Sequence, residues 1–152
     1  MKKKEKLLNL ANAHLPHQRK QMEEVSRRGV CLFCRKHLRE YHVSPTVREG
    51  KHWLVTPNDY PYEGTTLHLM LISKKHITKA SQITSGMMQE LGKHLSWIER
   101  KFKVPGGAFV MRFGSILYTG ASVSHLHAHL VVGGKQTGRT GKIQIKIGFK
   151  KK

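Results

Sequence analysis

Acidic side chains are scarce in this sequence and stop early. Nine Asp and Glu stand against 28 Lys and Arg in 152 residues, and none follows Glu99. A paired-carboxylate glycosidase, or a two-magnesium centre held by carboxylates, would have to draw on Glu5, Glu23, Glu24, Glu40, Glu49, Asp59, Glu63, Glu90 and Glu99. Most of these sit in stretches that read as solvated, so both classes are set aside. Cysteine is limited to Cys31 and Cys34. No hydrophobic run approaches the length of a membrane span, and the opening "MKKKEKLLNL" has lysines without an apolar core of signal-peptide length. The expectation is a soluble, cytoplasmic protein with reduced thiols and no membrane partner.

What is abundant is positive charge, a formal +19. A surplus of that size concentrates anions around the whole molecule, which points to a phosphate-rich partner without choosing between a nucleotide and a nucleic acid. The length suits a single domain with an appended segment.

Residues 5–28 are polar and mostly good helix formers, with Pro16 breaking the run and Gly29 closing it. Their basic composition suits an exposed arm or a dimer contact better than a core element. "CLFC" follows, then a polar link through Tyr41. "HVSPTVREGKHWLVTP" reads as two short strands about a Glu49-Gly50 turn, and "TTLHLMLIS" as a third strand. Ile83, Met87, Leu91, Leu95, Ile98 and Phe102 recur near helical spacing, with Ser81 as the candidate N-cap. "GGAFVMRFG" and the histidine-rich stretch make two more strands, and alternating Ile143, Ile145 and Ile147 suggest a last edge strand. The fold expected is α+β: an antiparallel sheet of five to six strands, a long helix on one face, and an N-terminal helical arm. The arm would span residues 1–30, the domain 31–149, and a lysine tail 150–152.

"SHLHAHLVVGG", residues 124–134, places a histidine at every second position. On a strand, residues two apart share a face at about 6.5–7 Å. His125, His127 and His129 would form a column while Leu126, Ala128 and Leu130 face the core. Each buried ring needs partners, and crowding opposes protonation. Neutral imidazoles bind metals, move protons or attack electrophiles. A His-x-His pair alone also occurs in metal-dependent barrels, but those need further carboxylates or histidines downstream, and this chain is too short for an eight-unit barrel. Gly120, Ser122 and Ser124 precede the column and supply small residues, N–H groups and hydroxyls where a phosphoryl oxygen can approach.

The whole run "TGASVSHLHAHLVV" resembles the histidine triad family, whose signature is His, apolar, His, apolar, His, apolar, apolar. "VTPNDYPYEGTTLHLMLISKKHIT" extends the similarity upstream, so that it covers roughly residues 31 to 149. Two departures stand out: Phe113-Gly114 where many members have Asn before the glycine loop, and Ala121 where many have Gln. The resemblance implies nucleotidyl transfer at an α-phosphate. His127 would be the nucleophile and His129 would bind the phosphate oxygens. Gly120 and Ser122 would form the cradle, and Ser122 would assist the leaving group. Asn58 and the adjoining Tyr-Pro-Tyr turn are candidates for the nucleoside pocket, adenosine being the expected nucleoside, and His68 for its lining. Arg112 reads either as a phosphate ligand or as an exposed strand charge. A homodimer is also implied.

Cys-x-x-Cys suggests a redox pair or half of a zinc site. The redox reading wants the pair between a strand and a helix of a βαβ unit, which is not its setting here. Zinc needs two more ligands, and histidines must provide them. The resemblance implies Cys31, Cys34, His76 and His125 as a closed, structural Zn2+ site; His37 is a rival by proximity. Trp53 and Trp97 read as core or interface, and His14, His17, His42, His52 and His94 as surface or structural. Alternatives to the enzyme are a nucleic-acid-binding or nucleic-acid-deadenylating protein of the same fold, and a zinc-stabilised interaction module without turnover.

Overall fold

The computed structural model describes residues 6–152; Glu5 and the rest of the lysine-rich start lie outside the described residues. Five antiparallel strands form one sheet: β1 Arg48–Glu49, β2 Trp53–Pro57, β3 Thr65–Ser73, β4 Ala108–Arg112 and β5 His127–Gly133, in the order β1-β2-β3-β5-β4. The histidine strand β5 is therefore interior, hydrogen-bonded on both sides. Its direct partners fix the faces: His129 lies opposite Met70 and Val110, and His127 opposite Ile72 and Arg112. These side chains share one face, while Ala128 and Leu130 join Leu69 and Leu71 on the other.

That second face is covered by α3, Ser85–Lys101, whose Met87, Leu91 and Ile98 are buried against Trp53, Val55 and Ala128. The helix starts later than Ser81. Residues Ala80–Gln82 make a single 3-10 turn, with the Gln82 side chain accepting from the N–H groups of Thr78 and Lys79. Thr84 is the N-cap instead, its hydroxyl accepting from Met87 N at 3.2 Å.

The histidine face is covered by the N-terminal segment, contrary to the exposed arm expected. Pro16 does break the preceding run, but it does so by opening α1, Pro16–Arg28, which Gly29 ends in the left-handed conformation. Met22 and Val25 of α1, together with Leu8, pack into one cluster with Phe33, Leu38, Leu54, Met70 and Ile72. Leu8 also bridges to Val123, and Asn12 Nδ2 donates to the Ala121 carbonyl at 2.9 Å. The helix is basic on average, yet its two buried apolar residues, Met22 and Val25, suffice to seat it. The polar link before Tyr41 is in fact a short helix, α2, Arg35–Tyr41, which buries Leu38.

The expected sixth strand does not form. Residues 142–149 run without regular structure past Gly64, Gly120 and Gly133. The alternating isoleucines do select a side: Ile143 and Ile145 lie near Ala108, Val110 and Val131. The backbone finds no ladder there, and the Lys146 carbonyl accepts from Arg112 Nη1 instead. A four-residue helix α4, Ile116–Thr119, leads to Gly120 at φ +66°, just before the histidine run. Among the described residues no helix is long and apolar enough to cross a membrane.

Candidate active site and metal centre

Cys31 and Cys34 lie between α1 and α2, His76 follows β3, and His125 precedes β5 by two residues. One donor atom from each comes within 4.8 Å of all the others. Cys31 Sγ is 3.3 Å and His76 Nδ1 3.2 Å from His125 Nδ1; Cys34 Sγ is 3.4 Å from His76 Nδ1. Bonds of about 2.0–2.3 Å to a tetrahedral ion space ligands about 3.3–3.8 Å apart, so the four fit a metal. The far nitrogen of His125 supports this: Nε2–H donates to the Ser73 carbonyl at 2.7 Å, leaving Nδ1 with its lone pair turned to the cysteines. Burial holds that imidazole neutral, its pKa down to about 4, and pushes the Cys31 thiol up to about 12. His37, the rival ligand, is outside the group and faces Glu40.

His127 and His129 behave differently from His125. All three are buried, but the first two line a cleft of about 1070 Å³ on the histidine face. His127 Nδ1–H donates to the His125 carbonyl at 2.6 Å, and Phe33 meets the ring edge-on with centroids 4.8 Å apart. That carbonyl fixes the tautomer, so the lone pair of His127 is on Nε2, which makes no hydrogen bond among the described residues. Burial drives the pKa of His127 down to about 3, against the hydrogen bond to the His125 carbonyl, while the charges of Arg112 and the His125 ring lower it further. The ring is therefore unprotonated at neutral pH.

His129 sits between two basic groups. Its Nδ1 is 2.8 Å from His68 Nε2 and its Nε2 is 2.9 Å from Arg112 Nη2. Burial, then the charges of His127 and Arg112, hold it well below the ordinary histidine range. His68 is likewise lowered, to about 4, chiefly by burial. It stands behind His129 rather than among the groups lining the cleft.

Gly120, Ser122 and Asn58 also border the cleft, as do Tyr60 and Tyr62 of the Tyr-Pro-Tyr turn. Asn58 Oδ1 accepts from Tyr60 N at 2.9 Å, which shapes that turn. Sequence reasoning missed the arm's share of the walls: Asn12, His14 and Gln18 line the same cleft. His42, read as surface or structural, is structural: its Nδ1 meets Asp59 at 2.9 Å and its Nε2 meets Thr56 Oγ1 at 2.7 Å. That array resembles a hydrolytic triad, but Thr56 is fully buried and Asp59 also accepts from Val43 N and Ser44 N. It is a latch between the end of α2 and β2. Trp53 is core, as expected, and Trp97 is partly buried under the Arg48 guanidinium.

A HIT domain family model matches residues 62–136. An uncharacterized HIT-like protein of Chlamydia muridarum is 34% identical over 91 residues, which are 58% of this chain and 70% of that protein. Among solved structures, a HIT family hydrolase from Clostridium thermocellum aligns at a TM-score of 0.55 and 23% identity, covering 72% of this chain and 95% of its own. A zinc-bound histidine triad family protein from Mycobacterium smegmatis aligns at 0.54 and 17%, covering 78% and 83%.

Proposed function

The chain belongs to the HIT family, and from that membership we propose a nucleotide hydrolase or transferase acting at the α-phosphate of a nucleotide conjugate. The substrate is a dinucleoside polyphosphate or a nucleoside phosphoramidate, and the reaction passes through a nucleotidyl-histidine intermediate. The observation that carries this is the His127 ring: its Nδ1 is occupied by the His125 carbonyl, and its Nε2 lone pair stands beside a cleft large enough for a nucleotide.

Nε2 attacks phosphorus while the bond from phosphorus to the leaving group breaks, and the departing atom takes a proton, with Ser122 assisting. His129, Gly120 and Ser122 hold the phosphate oxygens; Asn58 and Tyr60 border the nucleoside, an adenosine. Water or another acceptor then cleaves the phosphorus–nitrogen bond and restores the neutral ring. Little covalent chemistry falls to other groups, since alignment and charge stabilisation supply most of the rate.

Cys31, Cys34, His76 and His125 would hold Zn2+. Bound there, it supplies no step of the reaction; it ties the segment between α1 and α2 to the residue two before the nucleophile. β4 is an open sheet edge, which supports a homodimer as a second copy's docking edge. A second reading, a nucleic-acid-binding or nucleic-acid-deadenylating protein, is favoured by Lys135, Lys142 and Lys146 along the cleft. It predicts RNA or DNA affinity that falls steeply with salt; weak binding even at low salt removes it.

The test of the main proposal is turnover of diadenosine tetraphosphate and adenosine phosphoramidate by the parent protein and by His127→Ala. The variant is expected to lose activity by at least 10³-fold, on the order found for nucleophile removal. Equal turnover by the two proteins refutes the assignment.

A further inference from the structure

Hydrogen-bond donors outnumber lone pairs around His129. Tyr62 N–H donates to His68 Nδ1 at 3.1 Å, and the amide nitrogen of Asn58 lies 3.2 Å from His68 Nε2. At the other end Arg112 Nη2 approaches His129 Nε2. Both rings are neutral, and two neutral imidazoles joined by one hydrogen bond offer a single free lone pair to the outside. If His68 accepts from Tyr62, its Nε2–H donates to His129, whose own hydrogen then stands on Nε2 and confronts the guanidinium. If His129 accepts from Arg112, the surplus hydrogen moves to His68 Nδ1 and confronts the Tyr62 N–H. One donor pair is left facing another in either case. The Tyr62 end is closed by backbone, whereas the Arg112 end opens on the cleft.

Arg112 itself lacks an anion. It makes no ion pair among the described residues, and its contacts are the Lys146 carbonyl at 2.5 Å, the Tyr62 hydroxyl at 3.3 Å and His129. Its Nε is buried with no partner. β4 pairing puts this residue directly opposite His127 on the same face. A half-buried guanidinium held by carbonyl, hydroxyl and imidazole, with no carboxylate in ion-pair range among the described residues, is a site short of one negatively charged acceptor.

We propose that Arg112 is a phosphate ligand: with His129 Nε2–H it grips one non-bridging oxygen of the phosphoryl group presented to His127. An oxygen between the two donors accepts from both and removes the conflict. The assignment rests on the function proposed above, but it is tested by binding alone.

The experiment is calorimetric titration of the full chain, Arg112→Gln and Arg112→Lys with adenosine monophosphate and with adenosine. The parent is expected to prefer the monophosphate by roughly tenfold or more, the scale of charge-assisted hydrogen bonds. Arg112→Gln should erase most of that preference and leave adenosine affinity unchanged. Arg112→Lys, which keeps the charge without the fork, should retain part of it, and it decides the matter if the Gln variant does not fold. The proposal is overturned if the parent shows no preference, if the variants keep it whole, or if they weaken both ligands equally. A preserved, Arg112-dependent preference in a protein without turnover would instead overturn the catalytic reading and leave Arg112 assigned.

Discussion

Three histidines at alternate positions have three different fates, set by what each ring's second nitrogen touches. His125 gives Nε2–H to Ser73 and turns Nδ1 to the cysteines; His127 gives Nδ1–H to a carbonyl and keeps Nε2 for the cleft; His129 is flanked by His68 and Arg112. The period of two put His127 and His129 on one face from sequence alone; the role proposed for His127 came from the resemblance of the run to the histidine triad family. The strand actually begins at His127, so His125 escapes the pleat and can reach the metal group. Arg112 was ambiguous because one strand's pattern cannot say which strand pairs with it; its position opposite His127 needs the sheet order. Buried neutral rings also make stability depend on pH. His42, His68 and His94 are all lowered from 6.5, first by burial, and His68 reaches about 4. Below pH 6.5 the unfolded chain takes up protons that the fold refuses, so stability is full above that pH and falls as pH drops from 6.5 towards 4. Melting temperature should therefore decline between pH 7 and pH 5. His68→Gln should flatten the decline, and an unchanged slope would contradict this account of its neutral ring.

Elements with their own local signals were legible; those defined by what lies across from them were not. The helical spacing from Ile83 located α3, although its cap is Thr84, because Gln82 draws the preceding residues into a separate turn. Ile143 and Ile145 do share a side while Ile147 stays exposed, and alternation carries no information about a backbone partner. Average composition hid the role of α1: a polar helix of 13 residues with a basic surplus still buries Met22 at 1% and Val25 at 0% exposure. Met22→Ala should consequently cost roughly 2–5 kcal/mol in chemical denaturation, the range for truncating a buried methionine. A loss under about 0.5 kcal/mol, the scale of surface changes, would return α1 to the status of an exposed arm.

At the scale of the molecule, the sheet is a partition. Its α3 face is hydrocarbon, and its other face carries both the metal group and the cleft, closed over by the N-terminal segment and by residues 142–149. The Cys31–His125 contact spans 94 positions of sequence, so a metal there would join the first quarter of the chain to the start of the histidine strand. Purified parent protein should carry about one zinc per chain, and Cys31→Ser should lose it together with several degrees of melting temperature. Stoichiometric zinc retained by the variant would contradict the ligand set. The positive surplus was plain in composition, but its placement was not: Arg112 and three lysines fall on the cleft. The central claim is a covalent bond between His127 Nε2 and phosphorus. Rapid acid quench of the protein with α-labelled adenosine polyphosphate, followed by peptide mapping, tests it directly. Label on the peptide containing His127, absent from His127→Ala, is the result predicted; turnover with label nowhere on the chain, or undiminished in the alanine variant, would contradict it.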